Sequence, residues 1–229
     1  DPRHLGVLLP HLDPNRPVWG LYAKWRDEAT PPPETLKEMV DAYVAAIRRR
    51  QPKGPYLLTG FSAGCAAALF AARALVRAGE EIGALVLIDG AFPGLRAEGG
   101  DPLRGPLTRY LEASESRLAE GRSTSIADLR AIENDAALDF MAEIGFGGPD
   151  DEAVTDRRTI GPRDVQFLRF CRAHSGALAI EVFTDVLEVP AVLVVSKDFP
   201  PEHVVAWRTA LPAVAVHTID CIHAQIVFE

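Results

Sequence analysis

The chain has 229 residues, 48% hydrophobic and 24% charged, long enough to bury a sizeable core and too long to depend on disulfides as a miniprotein does. Its 24 Lys and Arg stand against 32 Asp and Glu, a formal net charge of −8, so the diffuse basic surface of a nucleic-acid or anionic-membrane binder is missing. Cys65, Cys171 and Cys221 lie far apart with no CxxC pair or zinc-ligand spacing, and no apolar run approaches the roughly 18 residues of a membrane span.

These features, with an N-terminal stretch DPRHLGVLLP that lacks signal-peptide order, predict a single soluble cytoplasmic domain with no metal, no nucleic-acid partner and no membrane partner.

Along the chain, apolar runs alternate with helical patterns, the signature of a mostly parallel sheet covered by helices. PVWGLYA (17–23) reads as a strand, followed by a turn at Pro31, Pro32 and Pro33. From 34 to 50, Leu36, Met39, Val40, Tyr43, Val44 and Ile47 fall at helical spacing, and Arg48, Arg49 and Arg50 complement the helix C-terminus or offer a docking patch to an acidic partner. PYLLTG (55–60), an Ala-rich helix (63–78) and IGALVLID (82–89) form a β-α-β unit. The rhythm returns with AVLVVS (191–196), a helix at 201–210 and a strand at 214–219. Between them, residues 90 to about 188 carry helical periods and none of strand type, which predicts a helical insertion acting as a lid over a site.

The chemistry centres on Gly60-Phe61-Ser62-Ala63-Gly64, a G-x-S-x-G at the junction of a predicted strand and helix. In a nucleophile elbow the serine sits on a sharp, strained turn, and the small residues around it give strand and helix the clearance to approach. A serine hydroxyl needs a base to take its proton and a carboxylate to orient that base. In the chain order that goes with an elbow the histidine comes last, which selects His223, in DCIHAQIV after the final strand, over His4, His11, His174, His203 and His217. Two carboxylates compete to orient it: Asp89, at the end of the strand after the elbow helix, and Asp198, just past AVLVVS. Residue patterns alone leave both open. The Ala63 backbone N–H is the candidate oxyanion donor.

GPYLLTGFSAG, the ALVLIDG strand, RPVWGLYA before the PPPETLKEM helix, and the terminal loop with His223 together resemble the thioesterase domains of nonribosomal peptide synthetases and modular polyketide synthases. The resemblance covers about 8–89 and 190 to the end. It implies an α/β-hydrolase fold, transfer of an acyl or peptidyl chain from a carrier protein's phosphopantetheine onto Ser62, and release by water or by an internal nucleophile, with no cofactor bound directly. It also implies Asp89 as the orienting acid, whereas in stand-alone editing thioesterases the acid lies near Asp198. The chain departs from the family in having Cys221, Ile222 and Ala224 around the histidine, where Gly before it and an aromatic residue after it are usual. The family's first strand and oxyanion loop have no counterpart, and they are expected to precede residue 1. A stand-alone editing thioesterase or a general carboxylesterase with the same nucleophile, and more remotely a non-catalytic ligand-binding member of the fold, are the alternative readings.

Overall fold

The computed structural model describes residues 2–21, 33, 35–95, 104–132, 138, 159–180, 182–223 and 225–226. In chain order the elements are a 3-10 helix Pro2–His11, α1 (Leu36–Arg50), β1 (Tyr56–Phe61), α2 (Ala63–Arg77), β2 (Ile82–Ile88), α3 (Arg104–Ala119), β3 (Thr124–Ser125), α4 (Ile126–Arg130), β4 (Thr159–Ile160), α5 (Pro162–Ile180), β5 (Ala191–Ser196), α6 (Pro201–Ala210) and β6 (Ala215–Ile219).

The larger of two compact units comprises Pro2–Leu21, Thr35–Leu95 and Leu178–Glu229. Its four strands lie in the order β1-β2-β5-β6, and every pairing is parallel. Strand β2 is hydrogen-bonded on both sides, and its run of apolar residues follows from that central place. Leu85 and Leu87 are wholly buried there, as are Leu69 and Leu75 of α2. Each such side chain is worth about 1.5–3 kcal/mol of transfer from water. Helix α1 starts at a capping box in which the Glu38 N–H donates to Thr35 Oγ1 (3.2 Å) and the Thr35 N–H to Glu38 Oε2 (3.4 Å). Of the three arginines at its end, Arg48 bonds Glu80 (3.0 Å) and Arg50 lies 3.5 Å over the Trp19 ring.

The second unit comprises Asp1, Tyr22–Glu34 and Arg96–Ala177. Its described part packs Leu107, Tyr110 and Leu111 of α3 with Ile126, Leu129, Ile160, Val165 and Leu168. Helix α4 has its own capping box, between Ser125 and Asp128.

Three expectations are corrected. Of the strand expected at 17–23, the described residues 17–21 form no strand: no described strand pairs with them, and Val18 and Trp19 stand 50% and 58% exposed. The insertion is not purely helical, because β3 and β4 pair antiparallel within it. Its limits also shift inward. Phe92, Phe183 and Leu187 are buried residues of the sheet unit, and after α5 the described residues 182–188 carry no helix. The turn GFGGPDDEA (145–153) lies outside the described residues.

Candidate active site

The sheet unit brings Ser62, Asp89 and His223 together at the C-terminal ends of its strands. Ser62 stands between β1 and α2 with φ 52° and ψ −126°, a conformation costing a non-glycine residue of order 1–3 kcal/mol and held only where its surroundings over-determine it. The Ser62 N–H donates to the Ile88 carbonyl (2.8 Å), extending the β1–β2 ladder into the turn. On the other side the helix closes in. A Cβ on Gly60 would lie 2.2 Å from the Gly64 carbonyl oxygen and 2.7 Å from the Cys65 amide, so only glycine lets α2 start this close to β1. Gly64, by contrast, has nothing within 4 Å of where its Cβ would stand, so clearance does not require it. Cys65 is buried, and its single S–H is shared between the Gly60 and Ile88 carbonyls (3.2 and 3.3 Å).

A serine at the N-cap of a helix ordinarily caps it. Ser62 makes no side-chain cap. Its Oγ lies 3.1 Å from His223 Nε2, and His223 Nδ1 lies 2.7 Å from Asp89 Oδ2. With the proton on Nδ1, His223 donates to the carboxylate and accepts from the hydroxyl. The imidazole also stacks on Phe61, 5.1 Å between centroids and 19° between planes.

Asp89 follows β2 with φ 50°, and its side chain is 1% exposed. Its N–H donates to the Val194 carbonyl (2.8 Å), while its Oδ1 accepts from the Ser196 N–H (2.7 Å). Burial pushes this carboxyl up, but the bonds from His223 and from the amide and hydroxyl of Ser196 outweigh it and hold the group below its ordinary 3.8. Asp198 lines the same cavity, exposed to solvent, with no hydrogen bond to His223 among the described residues. The geometry therefore gives the imidazole to Asp89.

A cavity of about 490 Å³ opens over these groups, lined by Ser62, Asp89, Ala91, Ser196, Asp198, Phe199, Pro200, Ile222 and His223. Ala63 is the first residue of α2, and its amide has no acceptor within the helix. Two contributors were not singled out from sequence. Phe61 is the variable residue inside G-x-S-x-G, and Ser196 closes the AVLVVS strand. Neither carries a local pattern that announces its contact.

The thioesterase domain family model matches residues 7–141. The chain belongs to the thioesterase domain family. Among curated relatives of this thioesterase domain, the non-reducing polyketide synthase PKS16 of Cladonia grayi is 35% identical over 123 residues, 54% of the chain and 6% of that protein. The nonribosomal peptide synthetase pngA of Aspergillus terreus is 40% identical over 75 residues, 33% of the chain and 8% of that protein. The matched stretches thus cover less than a tenth of the length of either relative. Among solved structures, the NocB thioesterase domain in covalent complex with a fluorophosphonate nocardicin G analogue superposes with a TM-score of 0.64 at 23% identity, covering 99% of this chain and 82% of that one. The SrfTE thioesterase domain, described for cyclization of the lipopeptide antibiotic surfactin, gives 0.51 at 18% identity, covering 83% and 68%. These likenesses show the fold, that of the α/β-hydrolases.

Proposed function

We propose that this thioesterase domain releases an acyl or peptidyl chain from the phosphopantetheine of a carrier protein, through a covalent ester on Ser62. The observation that carries the reading is the unbroken hydrogen-bond chain from Ser62 Oγ through His223 to Asp89, built on a strained turn that frees the hydroxyl from capping.

As Ser62 Oγ attacks the thioester carbonyl, His223 Nε2 takes its proton and the carbon–oxygen bond forms. Asp89 keeps the imidazole in the Nδ1–H tautomer and stabilises the imidazolium. The Ala63 N–H, at the positive end of α2, donates to the developing oxyanion. Collapse breaks the carbon–sulfur bond, and His223 returns the proton to the departing thiol. Water or a hydroxyl or amine of the chain itself then attacks the ester as His223 takes its proton, and collapse breaks the bond to Ser62 Oγ, to which His223 returns the proton. Relatives that are polyketide and peptide synthetases support a carrier-borne substrate, and Ala91, Phe199, Pro200 and Ile222 give the cavity an apolar wall suited to an acyl chain.

Intact-mass spectrometry after incubation with acyl-pantetheine thioesters tests this. One acyl increment on Ser62, absent from Ser62→Ala, is expected. A folded protein that gains no adduct and turns over no thioester overturns the reading.

A further inference from the structure

Helix α6 grips the loop that follows Asp89 at two points. The Trp207 indole N–H donates to the Gly90 carbonyl (2.8 Å), and the Phe92 N–H donates to His203 Nδ1 (2.8 Å). Trp207 is wholly buried, and its ring meets Phe92 edge to face at 5.1 Å. From the opposite side the elbow leaves the loop no room. A Cβ on Gly90 would lie 2.5 Å from both the Ser62 carbonyl oxygen and the Cys65 Sγ. Asp89, at the head of this loop, has the positive φ of 50° that only a fixed environment sustains.

We propose that His203 and Trp207 are positioning residues for Asp89, and that His203 does this only as the neutral imidazole. The proposal rests on the reading of Asp89 as the acid that orients His223.

The chemistry is one of donors and acceptors. Neutral His203 with its proton on Nε2 offers Nδ1 to the Phe92 N–H. The imidazolium has two N–H donors and no acceptor, so protonation sets donor against donor and the loop loses an anchor. Burial holds His203 below its ordinary 6.5, and the charge of Glu202 on the same helix opposes that only in part. Its other neighbours are the Phe199 ring and the Phe92 amide. Neither Asp89 nor Asp198 is among the charges that shift it. The anchor is therefore intact above pH 6.5 and is lost as the pH falls through the depressed value. Acid then reaches the triad at Asp89 through His203.

The test is the rate at which a fluorophosphonate labels Ser62, followed against pH. This rate reads the triad whatever acyl group the protein prefers. Labelling without thioester turnover would count against the proposed function alone. The wild-type acid limb is expected to gain one proton of steepness from His203 below about pH 6.5. His203→Asn places a permanent oxygen acceptor near the Nδ1 position, and its limb is expected to lack that added proton. His203→Leu and Trp207→Phe each remove one anchor and are expected to slow labelling at neutral pH by about tenfold, the scale that slight misplacement of a reacting group costs. A His203→Asn limb as steep as the wild type overturns the proposal, and that variant decides alone should His203→Leu fail to fold. So does His203→Leu labelling at the wild-type rate.

Discussion

The Asp89 carboxylate reaches from the end of β2 to the end of β5, where its Oδ1 accepts a hydrogen bond of 2.7 Å from the backbone amide of Ser196. Its other oxygen is left for His223 at 2.7 Å. The carboxylate is thus held by a neighbouring strand on one side and presented to the imidazole on the other, the preorganisation that the role proposed for Asp89 requires.

Asp89→Asn is expected to lower kcat on a neutral acyl thioester by about 10⁴, because an amide in this place favours the wrong imidazole tautomer. Asp198→Asn is expected to cost less than about tenfold, since solvent, not His223, surrounds that carboxylate. Steady-state kinetics of the two variants decide the matter. A crippled Asp198 variant beside an active Asp89 variant would transfer the acid to Asp198.

The bonds that hold Asp89 below 3.8 have a consequence for stability. Between the native value and the unfolded one the unfolded chain binds more protons, so this contribution is present above pH 3.8 and is lost as pH falls through the native value. Urea midpoints measured from about pH 5 down to about pH 3 are expected to fall more steeply for the wild type than for Asp89→Asn. Ser196→Ala removes the hydroxyl bond and keeps the amide bond, so its slope is expected to lie between the two.

Much of this site was legible in the chain. The β-α-β unit around Ser62 follows from two apolar runs flanking an Ala-rich helix, and β5, α6 and β6 fall within one residue of their expected limits, because each is bounded by proline or a polar turn. What a linear pattern lacks is the neighbour. PVWGLYA has strand-like composition, but its described residues 17–21 pair with no described strand. Asp89 and Asp198 both sit just past a strand end, and only the direction of the carboxylate across the sheet separates them. The two-residue strands β3 and β4 are too short to leave a period of 2.

The two glycines of the elbow are expected to respond oppositely to alanine. At Gly60 the new methyl meets backbone atoms at 2.2–2.7 Å that cannot move without unseating α2 from β1. Gly60→Ala should therefore cost about 3 kcal/mol or more, the overpacking range and above. At Gly64 the methyl meets open space, and alanine in the first turn of α2 is expected to be neutral or to stabilise by about 0.5–1 kcal/mol. Thermal melts of the two variants check both signs. Equal destabilisation would mean that Gly64 is held close by something the open space does not reveal.

Cys65 offers the last test, because it sits one turn from Ser62 and is easily mistaken for a reactive thiol. Burial pushes its pKa up to about 12, and the backbone bonds that favour the thiolate do not offset this. At neutral pH it is a neutral S–H donating to the Gly60 and Ile88 carbonyls, a latch beneath the elbow and not a second nucleophile. Iodoacetamide on the native protein is expected to leave Cys65 unlabelled, read by peptide mass spectrometry, while the denatured chain is labelled there. The raised pKa also sets an alkaline limit. Between pH 9.0 and about 12 the unfolded thiol ionises while the native one does not, so its contribution to stability falls with rising pH across that window. Cys65→Ala removes this titration but loses the latch. It is expected to be about 1–2 kcal/mol less stable at pH 7 and to lose less of its remaining stability between pH 9 and 11. Rapid native labelling of Cys65 at pH 7 would show instead that the elbow opens to solvent far more often than its packing implies.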